Sequence, residues 1–541
     1  MLAHSPVVFH HDVVRRLLVG VVAAVVAGPG QLACATAPVT DTEVLTRLQA
    51  APKGSHLSGT VTGVGAPDII NRRDFVYALD FDDESLRLAF IHHVSTSMEL
   101  TLTGLSPLSP VFQEKINTSE FDCEDLVITG DRVLVPSRQG VLRAFDAANG
   151  KLVAELTTGE PLLRVAVGVD HIFVGSSEGR VLIFDRQLGF VGEAKIHGDE
   201  VRGLAVLKDG RVVSASVDGT LTVSKVSTIE APMVRLPTST LATGEQVFLA
   251  HLDGKKAIAT IRDTRQPFSL VSRAAVKRLQ LSPSPTAATI AVPTAEGVQQ
   301  LPSLSLGELR LRAMSVGNVT AAVCDACLPP GVELLIGQDV LSTVTVAEDI
   351  ATGDLVVRPV QGAAGVTMIA GARSLVVEHR ITLPGPANDV DISEVGTALV
   401  TFSNERAERS FDINDAERKG RTMPASPASG AVVVDVATMQ VVKSLVNEHL
   451  GFAVTGALSP DGKTAVTGGW DKRLIVWDVA TGTVVTERSL AWAVRRVRIS
   501  PDGRLLGVAG WTPVNALNEG DSDPSMVLYP LVLASPTVVS P

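Results

Sequence analysis

The sequence predicts an all-β protein of more than one domain, and three observations carry that expectation. Valine, alanine, leucine, glycine and threonine dominate while aromatics make up only 4%, a composition that suits many short strands better than a helical bundle. Turn sequences such as Ser459-Pro460-Asp461-Gly462 and Ser500-Pro501-Asp502-Gly503 recur between apolar runs of strand length. At 541 residues the chain is also too long for one ordinary core. Net charge is −11, and no basic run is interleaved with aromatics. Nucleic acid is therefore excluded as an expected partner.

Residues 1–35 read as an export signal. Arg15-Arg16 precede the apolar run Leu17–Ala27, and Gly28-Pro29-Gly30 ends it. The run is shorter than the roughly 20 residues a bilayer-spanning helix needs, but it fits a signal-peptide core. Cleavage after the small-x-small site Ala33-Cys34-Ala35 gives a secreted chain. Gln31-Leu32-Ala33-Cys34 also resembles a bacterial lipobox, which implies lipidation of Cys34 and a membrane contact through that anchor alone. Both forms are exported, to the periplasm, the outer membrane or the medium.

Residues 56–238 are expected to form the first four blades of a β-propeller. A unit of about 40 residues repeats outside residues 240–360, the period of one blade. The degenerate first blade spans about 75–115. Asp131–Val135 with Gly140–Asp146, His171–Gly175 with Gly179–Asp185, and Val201–Val206 with Asp218-Gly219-Thr220 mark the next three. The strand from Ser58 to Val64 is placed to pair with the last blade, closing the ring and removing exposed sheet edges.

Residues 240–360 break the repeat. Val247–Leu252 and Lys256–Ile261 flank Asp253-Gly254, a hairpin signal because the turn needs positive φ. Asp263-Thr264-Arg265 follows, then Ser269-Leu270-Val271-Ser272, and downstream comes Leu334-Leu335-Ile336-Gly337-Gln338-Asp339-Val340-Leu341. These three features, in this order, resemble the retropepsin-type aspartyl proteases, with Arg265 where that family has glycine. The resemblance implies that Asp263 is the catalytic carboxylate, that Thr264 braces the loop, and that the 334–341 segment packs beneath it. It also implies a flap glycine, either Gly297 or Gly307. Aspartyl proteases need two carboxylates sharing a proton. No second Asp-Thr-Gly or Asp-Ser-Gly occurs here, so activity requires a homodimer. Arg265 opposes it by crowding the loop and by holding a permanent positive charge beside Asp263.

Four cysteines are too few for a disulfide scaffold. Cys324 and Cys327 form a lone C-x-x-C with no second pair, which supports no zinc site and reads as a local disulfide or two idle thiols. No metal or cofactor is expected.

Residues 361–535 are assigned to blades five to seven, with blade five near 381–443 and a polar loop from Thr401 to Gly430. The clearest repeat runs from His449 to Val485 and contains Leu474-Ile475-Val476-Trp477-Asp478. It resembles the WD-repeat family, which implies that His449, Thr467, Asp471 and Trp477 form a buried structural hydrogen-bond network. The expectation is thus a seven-bladed WD-repeat-like propeller with a retropepsin-like domain inserted between blades four and five. It would bind a protein or peptide on a propeller face and carry an inactive protease-like domain. The alternative is an active homodimeric aspartic endopeptidase positioned by the propeller.

Overall fold

The computed structural model describes residues 50–540 apart from short stretches and two longer segments, 405–427 and 512–523. The export segment with Cys34, and the Asp253-Gly254 turn, lie outside the described residues. Of the interval expected as a loop from Thr401 to Gly430, 405–427 lies outside too, while Thr401–Ser403 and Ser429–Gly430 are not loop but paired strand, because their ladder hydrogen bonds continue to that level.

Outside the insert, the described strands form four-stranded antiparallel meanders. Their first strands are Val76–Phe81, Val127–Thr129, Leu162–Val167, Val201–Val206, Ala387–Ile392, Ala453–Leu458 and Ala493–Ile499. Each packs beside the next, and the last returns to the first. The result is a ring of blades around a centre. Ring closure is chemical as well as geometric. His56–Val64 pairs antiparallel with Pro524–Val539, so the first of the described strands completes the blade that Ala493–Ile499 begins. Apolar residues on both faces of each sheet, such as Leu182 and Ile183 or Val432 and Val433, fill the spaces between blades.

The insert is built on a mixed sheet. Gln246–Leu252 and Lys256–Arg262 pair as a hairpin, and Lys256–Arg262 then runs parallel to Leu334–Ile336. Ser269–Val271 lies between Leu334–Ile336 and Met314–Val323. Thr289–Thr294 and Gly297–Leu311 form a long flap hairpin. Phe248, Ile258, Leu309, Met314 and Leu334 are among the residues of its own buried core.

One boundary differs from the sequence expectation. The insert does not fall between blades four and five; it interrupts blade four. Arg373–Thr382, which follows the insert, pairs along the whole of Thr220–Thr228 and supplies that blade's outer strand. Val366–Met368, assigned above to the returning propeller, still pairs with Met314–Val323 of the insert. The physical reason is that Thr220–Thr228 would otherwise expose a long unpaired edge. The returning strand also reaches blade three, where Gly192 meets Arg373 in parallel. Gly192 leaves no room for a Cβ against the Arg373 backbone, so the close approach depends on glycine.

Polar contacts then clamp the insert to blade three. Arg180 pairs with Glu160 at 3.1 Å and donates from its other nitrogen to the Pro237 carbonyl at 3.2 Å. Arg312 donates to Arg235 O at 2.9 Å and to Ser374 Oγ at 3.2 Å, with Glu193 at 4.0 Å. His251 stacks on Phe190 with ring centroids 3.7 Å apart.

Candidate active site

The strand Lys256–Arg262 delivers Asp263 to an exposed turn because its parallel partner ends at the same level. The Asp263 amide donates to Ile336 O at 3.1 Å. Beyond that point the chain turns through Pro267, and Ser269 re-enters the sheet.

The Gly337-Gln338-Asp339 segment holds this turn from behind. Gln338 N–H donates to Gln266 O at 2.8 Å and Asp339 N–H to Pro267 O at 3.2 Å. Gln338 Nε2 reaches Thr264 O at 2.8 Å. The Asp339 carboxylate accepts from the Ser269 amide at 3.1 Å and from its hydroxyl at 2.9 Å. Ser269 Oγ in turn accepts from Gly337 N–H at 3.2 Å. A Cβ at Gly337 would lie 2.6 Å from the Phe268 backbone, so only glycine permits this packing. Asp339 is the second aspartate in the turn system, but its oxygens are committed to Ser269.

Asp263 is paired with a side chain of its own turn. Arg265 folds back on it, donating from Nε to Oδ1 and from Nη2 to Oδ2, both at 3.0 Å, with its amide also on Oδ1 at 2.9 Å. This is a two-pronged guanidinium–carboxylate pair. The Arg265 hydrogen bond, then its charge, hold the Asp263 carboxyl below its usual range. Thr264 is exposed, and its carbonyl rather than its hydroxyl is engaged by Gln338.

The flap lies close over the same turn. Gln266 Nε2 donates to Pro293 O at 3.3 Å. Val292 is buried in one cluster with Ile261, Leu270 and Leu335, and Ile290 and Leu301 pack against it. Of the two glycines considered for the flap, Gly297 closes the hairpin opposite Thr294 with φ +110°, whereas Gly307 sits in mid-strand at a register shift. Cys324 and Cys327 are joined as a disulfide, the first of the two readings above.

The four blade-six residues come together as one buried chain. His449 Nδ1 is 3.0 Å from Asp471 Oδ2, His449 Nε2 is 2.9 Å from Thr467 Oγ1, and Trp477 Nε1 donates to that hydroxyl at 2.9 Å. Sequence reasoning missed a second version in blade four. There His197 Nε2 lies 2.8 Å from Ser214 Oγ, which is 2.8 Å from Thr222 Oγ1, while His197 Nδ1 faces Asp218 at 3.4 Å. The signal was present: His197, Ser214 and Asp218 repeat the spacing of His449, Thr467 and Asp471 to within one residue.

Also missed was the ion network at the centre of the ring. Arg496 joins Asp125 to Asp389, and Arg498 reaches Asp389 at 3.2 Å. Burial alone would raise Asp389, but Arg498, Arg496 and Arg164 bring it down to about 2.

Residues 250–340 match the family model of an aspartyl protease, and residues 440–478 match that of the WD domain, G-beta repeat. No match is found among curated proteins. Among solved structures, a similar chain comes from one titled "Crystal Structure of Mitotic Checkpoint Complex". It shares 10% identity over 95% of this chain and 99% of that one, with a TM-score of 0.44. The chain is a WD-repeat-like β-propeller carrying an inserted aspartyl-protease-like domain.

Proposed function

We propose that this chain is an exported binding scaffold whose protease-like domain does not cleave. One observation carries the reading: the Arg265 guanidinium engages both oxygens of Asp263. A catalytic aspartate must share a proton with its partner and pass it to the scissile carbonyl. Asp263 is instead held charged, with its lone pairs directed at a cation. Arg265 also stands where a second copy or a substrate would need to approach.

The frame of the loop, with Gly337 and Asp339 in place, supports a domain that keeps the protease shape for recognition. The propeller supports the scaffold half of the reading, since fold alone specifies no chemistry and a ring of blades offers loops around a centre.

The test is a peptidase assay on the full chain with unstructured peptides at acidic and neutral pH. No cleavage is expected, and Asp263→Asn should change nothing. Pepstatin-sensitive cleavage abolished by Asp263→Asn would establish the homodimeric endopeptidase instead. Export rests on Arg15-Arg16, the apolar run Leu17–Ala27 and Cys34. Intact-mass analysis from a bacterial host is expected to show loss of the first 33 to 35 residues. A diacylglyceryl increment on Cys34 selects the lipoprotein form, and a retained Met1 in the envelope fraction overturns export.

A further inference from the structure

The insert meets blade three across a histidine. Along Gln246–Leu252, Phe248, Ala250 and Leu252 enter the insert's own core, so the alternation of a strand puts His251 on the other face. That face rests on Phe190, which opens the outer strand Phe190–Lys195 of blade three. The imidazole is 2% exposed and lies flat on the Phe190 ring, with 21° between the planes. Its Nδ1 has no hydrogen-bond partner among the described residues.

Both charged groups that act on this ring are cations. Arg310, beside His251 in the adjoining strand, spans the seam by donating to Phe190 O at 3.2 Å. Arg312 is buried at the hairpin turn that follows, held by Arg235 O and Ser374 Oγ. On the blade-three strand, Glu193 is directed to Arg312 at 4.0 Å and Lys195 to Thr238 O. Arg373 of the returning strand reaches Thr228 Oγ1. A neutral imidazole stacks here as an apolar ring. An imidazolium would leave water for a place beside two guanidiniums, with an Nδ1–H that finds no acceptor. Burial first, then Arg310 and Arg312, bring the pKa of His251 down to about 3.

We propose that this seam is an acid-sensitive catch, in which proton uptake by His251 releases the insert from blade three. Ring and insert would both keep their form on release. Arg373–Thr382 stays paired along Thr220–Thr228 by its own ladder, and the insert has a buried core of its own. The inference concerns the insert's attachment and holds whether or not the insert cleaves.

The docked state keeps His251 neutral down to about 3, whereas the released state protonates it near the ordinary 6.5. On its own, this residue weakens docking about tenfold for each pH unit below 6.5. Glu160 opposes it. It is buried against Arg180, which also holds Pro237 O of the segment leading into the insert, and burial pushes its carboxyl up to about 7. Its protonation therefore favours the docked state as pH falls from about 7 to the ordinary 4.5. The two contributions offset between 6.5 and 4.5, and below that His251 acts alone.

The test is electron–electron double resonance on the full chain from pH 7 to pH 3.5. Spin labels are carried on ketone-bearing residues at Val169 of blade three and Ile350 of the insert, both strongly exposed, so that the cysteines stay untouched. Near-ultraviolet circular dichroism reads global unfolding on the same samples. The parent should show one distance at pH 7 and a second, broader population below about pH 4.5, growing about tenfold relative to the first for each further pH unit. His251→Phe keeps a stacked ring without the proton and should show the first distance throughout. His251→Gln, also neutral, gives the same reading if the phenylalanine variant does not fold. A single distance in the parent at every pH, a second one that appears only with global unfolding, or the same pH dependence in parent and variant each overturns the proposal.

Discussion

Blade six and the catalytic-like turn of the insert each set an aspartate against a nitrogen partner, and they use it in opposite ways. Asp471 and His449 are 2% and 1% exposed, and the chain of bonds runs on through Thr467 to Trp477. The polarity is self-consistent: Trp477 donates to Thr467, Thr467 to His449 Nε2, and His449 Nδ1–H to Asp471. Every buried group is satisfied, which is what makes such a network a strong constraint on one conformation. Asp263 and Arg265 lie at the same 3.0 Å separation as His449 and Asp471, yet Arg265 is 89% exposed. A surface ion pair gains little because water and salt screen it. The difference teaches that matching a family motif predicts mechanical importance only where burial accompanies it. At Asp263 the pair acts on the titration of the carboxyl, which it holds below its usual range, rather than on stability.

The largest expected effect tests the buried side of that comparison. Trp477→Ala should destabilise the chain by roughly 3–5 kcal/mol, since a large aromatic leaves a cavity beside Ala465 and Ile475. Thr467→Val is the sharper variant. It removes one hydroxyl and leaves both His449 Nε2 and Trp477 Nε1 without partners, at a cost of about 1–3 kcal/mol for each stranded group. Calorimetric melting reads both, and a Thr467→Val chain that melts like the parent would show that the network constrains nothing.

An intermediate effect tests the junction, where burial and charge act together. Glu160 is buried beside Arg180, but burial, with Glu193 nearby, outweighs the arginine and pushes its carboxyl up to about 7. A carboxyl raised in the folded state binds its proton more tightly there than in the unfolded chain. Folding is then favoured as pH falls from about 7 towards the usual carboxylate range, and this contribution is absent above 7. Glu160→Gln removes the titration. The gain in melting temperature between pH 8 and pH 5.5 should therefore be smaller in the variant than in the parent. Parallel pH profiles would show that Glu160 is ionised throughout.

Much of the propeller was legible because its signals are local. Trp477-Asp478, the Ser-Pro-Asp-Gly turns and the Asp-Gly-Thr of blade four each identify an element within a few residues. The closing strand was legible too, because Ser58–Val64 alternates without a neighbour of its own. The outer strand of blade four was not. Arg373–Thr382 carries no turn signature tying it to Thr220–Thr228, from which the insert separates it by more than a hundred residues. The cluster of arginines around Glu124 was illegible for a related reason. Glu124, Arg138, Arg202 and Arg495 are ordinary charges in sequence and meet only when the ring closes. In the insert, Asp263 and Arg265 could be read as adversaries from adjacency alone. The bracing by Gln338 and the burial of the flap's own Val292 against Ile261, Leu270 and Leu335 required the folded sheet.

The smallest expected effect, on stability, is also the one that isolates the Asp263–Arg265 pair. Arg265→Gly removes a side chain that touches little besides Asp263. The melting temperature should stay within error of the parent. What should move is the titration of Asp263. The pair holds its carboxyl below the usual range in the folded state, so removing the guanidinium should let it rise to that range, and added salt should reproduce part of the rise in the parent. Carboxyl-detected NMR of the labelled chain would follow both. An unchanged Asp263 titration in Arg265→Gly would mean that the fork is open in solution and that Arg265 does not hold Asp263 back from catalysis. If the titration rises while peptides remain uncut, the missing element is the second carboxylate rather than the glycine. The domain would then be arrested by its single copy, with Arg265 the lesser departure from the protease pattern.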